Sequence, residues 1–188
     1  MAPAGHGFTP CLNIKTQPCS LPIPLGTLSR SVKYYVLTTT NPEVCLMTID
    51  QIINLLNLDL SWEYAAMIQY IQHASLLTGP EYFAIINEEL QHAQDEHEHA
   101  VRLTDKIQYL GGFPTVNVQE IKTSLSNVEM LRQDLQAEYD ALHRYLQRIE
   151  QLEALKLYDV AQVIREIALV EQGHIIDLEK SLGIQKVR

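Results

Sequence analysis

The sequence has few cysteines, and none of them follows residue 45. Cys11, Cys19 and Cys45 all precede the part of the chain in which apolar residues become periodic. A core built without cysteine needs no oxidising compartment, because it relies on no disulfide. The default expectation is therefore a cytosolic protein.

Long apolar runs are also missing, and basic residues are in the minority. No stretch approaches the roughly 20 consecutive apolar residues that a membrane-spanning helix requires. The 188 residues include 23 acidic and 14 basic side chains, for a formal charge of −9. A nucleic-acid-binding protein would carry a basic stripe instead. We expect neither a membrane nor a nucleic-acid partner, and the acidity suits a protein that handles cations.

Residues 1–46 show no helical periodicity and are rich in Pro, Ser and Thr. Three interpretations are open: a transit segment, a disordered arm, or an extension created by the choice of start site, with Met47 as the true start. The basic residues there are few, which favours the last two. We expect a disordered or non-core extension over 1–46, one domain over 47–183 and a short tail over 184–188.

After Met47 the apolar residues recur at steps of three and four, which indicates amphipathic helices. Two short turns predict two antiparallel helix pairs, and the connection between the pairs is long enough to run the length of a bundle. The chain is therefore predicted to be all-α, a four-helix bundle with one long crossover, the ferritin-like arrangement among bundle topologies. The predicted helices span about residues 49–77, 81–110, 127–152 and 156–182.

Each predicted helix has an apolar seam, the line of apolar residues that faces the core. Near its middle each seam carries an acid, and in two helices a histidine follows one turn later. Thirty-three positions separate the acids of the first helix pair, and thirty-three separate those of the second. Folding each pair about its turn brings all these side chains to one height in the core, as if the two halves were an internal duplication. The residues concerned are Glu63, Glu96, His99, Glu138, Glu171 and His174.

Four carboxylates facing one another in a core require compensation. Burial of a charge costs several kcal/mol, and like charges raise each other's pKa. Two divalent cations would balance the four charges, so metal binding should stabilise the fold and release protons. One glutamate from each of two helices and a Glu-x-x-His from each of the others is the di-iron or di-manganese carboxylate pattern. We predict two iron ions per chain, with manganese as the alternative.

A further Glu-x-x-His, formed by Glu89 and His92, lies on the second helix seven positions before Glu96. No acid on the seam of the first helix is level with it. We interpret this pair as the polar end of the bundle and expect its loss hardly to affect the metal centre.

Several polar and aromatic residues lie on or beside the seams. Tyr70 is either a core residue or a partner of a metal ligand or an electron donor, because it follows the first seam acid by two turns. Asp134 either orients a ligating imidazole or lies on the surface. His73 and His143 are interpreted as structural or exposed, and Trp62 as part of the core.

Four segments resemble the ferritin-like superfamily, and bacterioferritin most of all. They are "LNLDLSWEYAAMIQYIQHA" (56–74), "DEHEHAVRLTDKIQYLGGFP" (95–114), "LRQDLQAEYDA" (131–141) and "VEQGHIIDLEKSLG" (170–183). The resemblance covers about residues 47–183 and implies a ferroxidase centre. It implies oxidation of Fe(II) by O2 or H2O2 and transfer of Fe(III) to a mineral store in a hollow cage. The implied roles are terminal carboxylates for Glu63 and Glu138, bridging carboxylates for Glu96 and Glu171, and terminal imidazoles for His99 and His174.

The chain departs from the bacterioferritin pattern at two places. Bacterioferritins hold haem through a methionine directly after the first bridging glutamate, and His97 occupies that position here. We therefore expect haem to be absent or weakly bound. Cage-forming chains of the family carry a short fifth helix, whereas about five residues follow Gly183. A homo-oligomer is expected, either a dimer or a cage.

Three functions remain open at this point. The first is a ferroxidase for iron storage or detoxification. The second is a di-metal peroxidase or catalase, similar to rubrerythrin or manganese catalase. The third is a non-catalytic metal-binding subunit of a cage.

Overall fold

The computed structural model describes residues 47–185, and the extension predicted over 1–46 lies outside the described residues. This part of the chain forms four α-helices, α1 (Ile49–Leu76), α2 (Phe83–Tyr109), α3 (Asn127–Ala154) and α4 (Tyr158–Ser181), and a single 3-10 turn at Pro80–Tyr82. The predicted all-α fold is confirmed. None of the helices between residues 47 and 185 is long and apolar enough to cross a membrane.

The first helix begins at a capping box. The Thr48 hydroxyl accepts a hydrogen bond from the Gln51 backbone N–H at 3.2 Å, and the Gln51 side chain accepts one from the Thr48 backbone N–H at 2.8 Å. These bonds satisfy donors that the first turn of a helix leaves free. The helix ends before Gly79, whose φ of +115° suits a residue without a Cβ.

The four helices pack as two antiparallel pairs, α1 with α2 and α3 with α4, and contacts of α1 with α3 and of α2 with α4 close the bundle. Two apolar clusters fill the interior. One contains Leu56, Leu103 and Ile164, and the other contains Ile85 and Leu178. The seam acids lie between these clusters along every helix. The bundle therefore has a polar layer sealed by apolar packing at both ends.

Trp62, which was assigned to the core, lies at its edge. The side chain is only half-buried, and its ring lies 5.2 Å from the guanidinium of Arg144. Trp62 directly precedes Glu63 and therefore lies beside the line of buried residues of α1.

The long crossover, residues 111–126, runs alongside α1. Asn57 accepts a hydrogen bond from the Thr115 backbone N–H at 2.7 Å, and Gln69 accepts one from the Lys122 backbone N–H at 2.8 Å. Polar side chains of α1 thus accept hydrogen bonds from backbone N–H groups that belong to no helix or strand. This arrangement holds the crossover along the helix that carries Glu63.

Candidate metal centre

All six seam residues meet in the polar layer of the bundle. Each of them is only 1–3% exposed. Their donor atoms form two groups, within each of which all atoms lie within 4.8 Å of one another. The first group is Glu63, Glu96, His99 and Glu171, and the second is Glu96, Glu138, Glu171 and His174.

Glu96 and Glu171 are shared between the two groups. Glu96 places Oε2 3.2 Å from Nδ1 of His99 and Oε1 3.3 Å from Nδ1 of His174. Glu171 places Oε1 3.2 Å from Nδ1 of His99 and Oε2 3.2 Å from Nδ1 of His174. Each carboxylate therefore presents one oxygen to each imidazole, which is the arrangement that a bridge between two metal ions requires.

Glu63 and Glu138 each belong to one group. Oε2 of Glu63 lies 3.2 Å from Nδ1 of His99, and Oε1 of Glu138 lies 3.4 Å from Nδ1 of His174. This placement agrees with terminal roles for both. The structure brings together all the predicted ligands, and their coordination of metal stays a prediction.

Several buried polar atoms of the layer lack hydrogen-bond partners among the described residues. They include both carboxylate oxygens of Glu171, Oε2 of Glu138 and Nδ1 of His174. Buried polar atoms are nearly always paired, because desolvation without a partner is costly. Carboxylate oxygens and imidazole nitrogens are also the donors that Fe and Mn accept. The residues present thus fit a pair of divalent ions.

Protons balance part of the charge in the metal-free layer. Burial, and then the neighbouring carboxylates led by Glu171, raise the pKa of Glu96 well above its usual range. Burial and Glu171 also raise the pKa of Glu138. Burial by itself lowers the pKa of His99, but the nearby carboxylates of Glu171 and Glu63 outweigh it, so the net pKa is raised.

Two tyrosines hold the terminal carboxylates. The hydroxyl of Tyr70 on α1 donates a hydrogen bond to Glu138 on α3. The hydroxyl of Tyr145 on α3 donates one to Glu63 on α1, at 2.5 Å. Of the two interpretations of Tyr70, contact with a predicted ligand is therefore the observed one. Tyr145 was missed, although it follows Glu138 by seven positions as Tyr70 follows Glu63.

The interpretation of Glu89 and His92 as a polar end of the bundle is wrong. Both side chains are buried, because an apolar cluster including Ile85 closes the bundle beyond them. The His92 ring stacks on the ring of His174 with centroids 4.0 Å apart. On the other side, Oδ2 of Asp95 lies 3.3 Å from Nε2 of His174. These two contacts orient an imidazole of the metal centre.

Asp134 is also buried rather than on the surface. It accepts hydrogen bonds from Nδ1 of His73 at 2.7 Å and from the side-chain amide of Gln69 at 2.8 Å. It therefore orients an imidazole, but one outside the predicted ligand set. His73 is fully buried, whereas His143 is exposed.

Residues 53–186 match the family model of the ferritin-like domain. The chain belongs to the ferritin-like family. Bacterioferritin of Brucella melitensis is 32% identical to it over 135 residues, which are 71% of this chain and 84% of that protein. Bacterioferritin of Streptomyces coelicolor is 30% identical over 71% of this chain and 81% of that protein. The predicted resemblance to bacterioferritin is thereby confirmed.

Solved structures agree with this assignment. A ferritin-like, diiron-carboxylate protein of Bacillus anthracis has a TM-score of 0.69 and 30% identity, and covers 72% of this chain and 99% of its own. Bacterioferritin of Rhodobacter capsulatus has a TM-score of 0.67, and the match covers 72% of this chain and 85% of that chain. Its sequence identity is 23%, so this likeness shows the fold alone.

A small cavity leads into this ferritin-like bundle beside the centre. Its volume is about 30 Å³, which suits water-sized species rather than an organic substrate. The lining includes exposed Glu120 and half-buried Trp62 as well as buried Glu63 and Glu138. The cavity thus extends from the surface towards the carboxylates of Glu63 and Glu138.

His97 lies on the outer side of α2 of the ferritin-like bundle. It is exposed and lines a shallow cavity together with Tyr64, Met67 and Val101. The side chain is therefore separate from the metal layer. The expectation that haem is absent or weakly bound stays a prediction.

Proposed function

We propose that this protein is a ferroxidase that binds two Fe(II) ions in the polar layer and oxidises them for iron storage or detoxification. The observation that carries the proposal is the sharing of Glu96 and Glu171, each with one oxygen facing each imidazole. The related proteins named bacterioferritin, and the diiron-carboxylate protein with the same fold, support iron as the metal.

In the proposed reaction iron is the substrate. Two Fe(II) ions each give up one electron, and O2 with two protons becomes H2O2; where H2O2 is the oxidant, it takes two protons and becomes two waters. The four carboxylates offset the charge of the two incoming ions. The hydrogen bonds from Tyr70 and Tyr145 fix the terminal carboxylates, so the ligand set needs little reorganisation when iron enters.

We also propose that the chain works as a homo-oligomer. Helices α1 and α2 expose apolar side chains on the outside of the bundle: Ile71 is 51% exposed, Leu90 50% and Val101 47%. Association of copies would remove such side chains from water. Whether a dimer or a cage forms is measured directly by the assembly size in solution.

The function is tested by adding Fe(II) to the metal-stripped full chain in air and following the ferric absorbance. We expect a fast phase that saturates at two irons per chain, one for each donor group. Uptake far beyond two ions would demonstrate storage. Rapid turnover of H2O2 by the protein purified with its own metals and without added Fe(II), together with no fast ferric phase in the metal-stripped protein, would instead identify a peroxidase or catalase. Two bound ions with neither activity would identify a metal-binding subunit.

A further inference from the structure

A second polar cluster lies in the core beside the metal centre. His73 on α1, Glu89 on α2 and Asp134 on α3 have donor atoms within 4.8 Å of one another, and none is more than 1% exposed. Glu89 lies seven positions before Glu96, or about 10 Å along the helix. The cluster is therefore distinct from the six residues of the dinuclear centre.

The donor atoms of this cluster are largely unpartnered. Neither carboxylate oxygen of Glu89 has a hydrogen-bond partner in the part of the chain that the structure describes, and neither does Nε2 of His73. Asp134 already orients the His73 ring through Nδ1 at 2.7 Å. A carboxylate that holds an imidazole in place while the other ring nitrogen stays free is typical of metal-binding histidines.

The internal duplication provides a comparison for this cluster. Asp59 and Asp134 each precede the terminal glutamate of their own helix by four positions, and His73 and Arg148 each follow theirs by ten. In the other half of the bundle the aspartate is paired with a permanently charged side chain. Nε of Arg148 donates a hydrogen bond to Asp59 at 2.7 Å. His73 occupies the position that corresponds to this arginine.

The position that corresponds to Glu89 is also different in the other half. Glu89 precedes Glu96 by seven positions, and Ile164 precedes Glu171 by seven. In the half that contains Ile164, the Asp59 carboxylate faces two guanidinium groups, because Nε of Arg144 also lies 3.6 Å from it, and the third position is apolar. The half that contains Glu89 has two carboxylates and an imidazole, so a divalent cation would restore neutrality when His73 is uncharged, as a ligand must be.

We propose that Nε2 of His73 and the carboxylate of Glu89 hold a third metal site that binds one divalent transition-metal ion, with Asp134 orienting the imidazole through Nδ1. The imidazole favours a transition metal over Mg²⁺ or Ca²⁺, which prefer oxygen ligands alone. The site is independent of the proposed iron oxidation, because it shares no residue with the dinuclear centre.

The test counts Co(II) ions bound to the metal-stripped full chain by equilibrium dialysis, with the visible absorbance of Co(II) as a second readout. We expect the parent to bind three ions per chain, from the two groups of the dinuclear centre and this cluster. Glu89→Gln and His73→Gln should each lose one ion and the corresponding part of the absorbance. His73→Gln keeps an amide that can donate to Asp134, so it removes the ligand and not the hydrogen bond.

Folding of the variant is checked separately. Burial, and then the charge of Asp134, raise the pKa of Glu89 to about 10. Glu89 therefore carries a proton in the metal-free protein at neutral pH, and glutamine resembles that form. The metal-free melting temperature of Glu89→Gln should equal that of the parent.

The matched control is Glu88→Gln. The neighbouring Glu88 is exposed and belongs to a more open group with His92 and Asp177. Glu88→Gln should bind as many ions as the parent. If Glu89→Gln and His73→Gln bind as many ions as the parent, or if Glu88→Gln loses the same ion, the proposed site is wrong.

Discussion

Replacing Glu138 by alanine should slow the fast phase of Fe(II) oxidation by ~10–100-fold, the scale on which losses in a ligand shell act. Glu138 is the terminal carboxylate of the group that contains His174, and its Oε1 lies 3.4 Å from Nδ1 of that histidine. Without it one of the two iron positions is incomplete. The rate is measured by stopped-flow absorbance at two Fe(II) per chain.

The same change should leave the metal-free protein as stable as the parent or more stable. Burial and the charge of Glu171 raise the pKa of Glu138, which means that the site disfavours this carboxylate when no metal is bound. The loss of the hydrogen bond from Tyr70 offsets part of this gain. Lost activity combined with undiminished metal-free stability distinguishes a ligand from a residue that supports the fold.

The control for this variant is Glu150→Ala, which removes an exposed glutamate from the same helix. It should oxidise iron at the parent rate. A Glu138→Ala protein that oxidises Fe(II) as fast as Glu150→Ala would show that Glu138 is not a ligand.

Removing the metal should lower the free energy of unfolding by about 5 kcal/mol. An ion present at 100 times its dissociation constant stabilises the folded state by about 2.7 kcal/mol per site, and the centre has two groups of donors. The measurement is urea unfolding with excess Mn(II) and, separately, with a chelator. Mn(II) is used because it is not oxidised on the time scale of the titration.

The bridging role proposed for Glu171 predicts a difference between two variants in this measurement. Glu138 belongs to one group, whereas Glu171 belongs to both. Of the stabilisation that Mn(II) gives through the dinuclear centre, Glu138→Ala should therefore keep about half and Glu171→Gln almost none, whereas an ion at His73 and Glu89 stabilises the parent and both variants equally. Equal midpoints with Mn(II) and with chelator in the parent would contradict metal binding in the core.

The helices and the meeting of the six seam residues in one layer could be predicted from sequence because their signals are local and repeated. Apolar spacing, with glycine and proline between α1 and α2 and after α2, places the helix ends to within a few residues. The acids are then matched by counting from each turn, since the rise of a helix is constant. Glu63 and Glu96 illustrate this, because equal distances from one turn bring them to the same height.

The second polar cluster could not be predicted in the same way. His73 and Asp134 lie beside the apolar seams, and whether they meet depends on how α1 and α3 rotate about their axes. Periodicity within one helix does not determine that rotation. Glu89 was assigned to a polar end because the seam of α1 offers no acid at its height, whereas its actual neighbours are an imidazole and an acid beside the seams.

The tyrosines show a different limit. Tyr145 fits the apolar seam of α3, so periodicity assigns it to the core and says nothing about its hydroxyl. Its hydrogen bond to Glu63 depends on the packing of α3 against α1. Only the repeated spacing from the terminal glutamates could have indicated a shared role with Tyr70.

The most direct test of the dinuclear centre is a crystal structure of the protein soaked in Mn(II), with anomalous scattering used to locate the ions. We predict two maxima in the polar layer, one beside Glu63 and His99 and one beside Glu138 and His174. Glu96 and Glu171 should each contribute one oxygen to both ions. A single maximum in the polar layer, or two maxima there that Glu96 and Glu171 do not bridge, would contradict the dinuclear centre proposed for this protein.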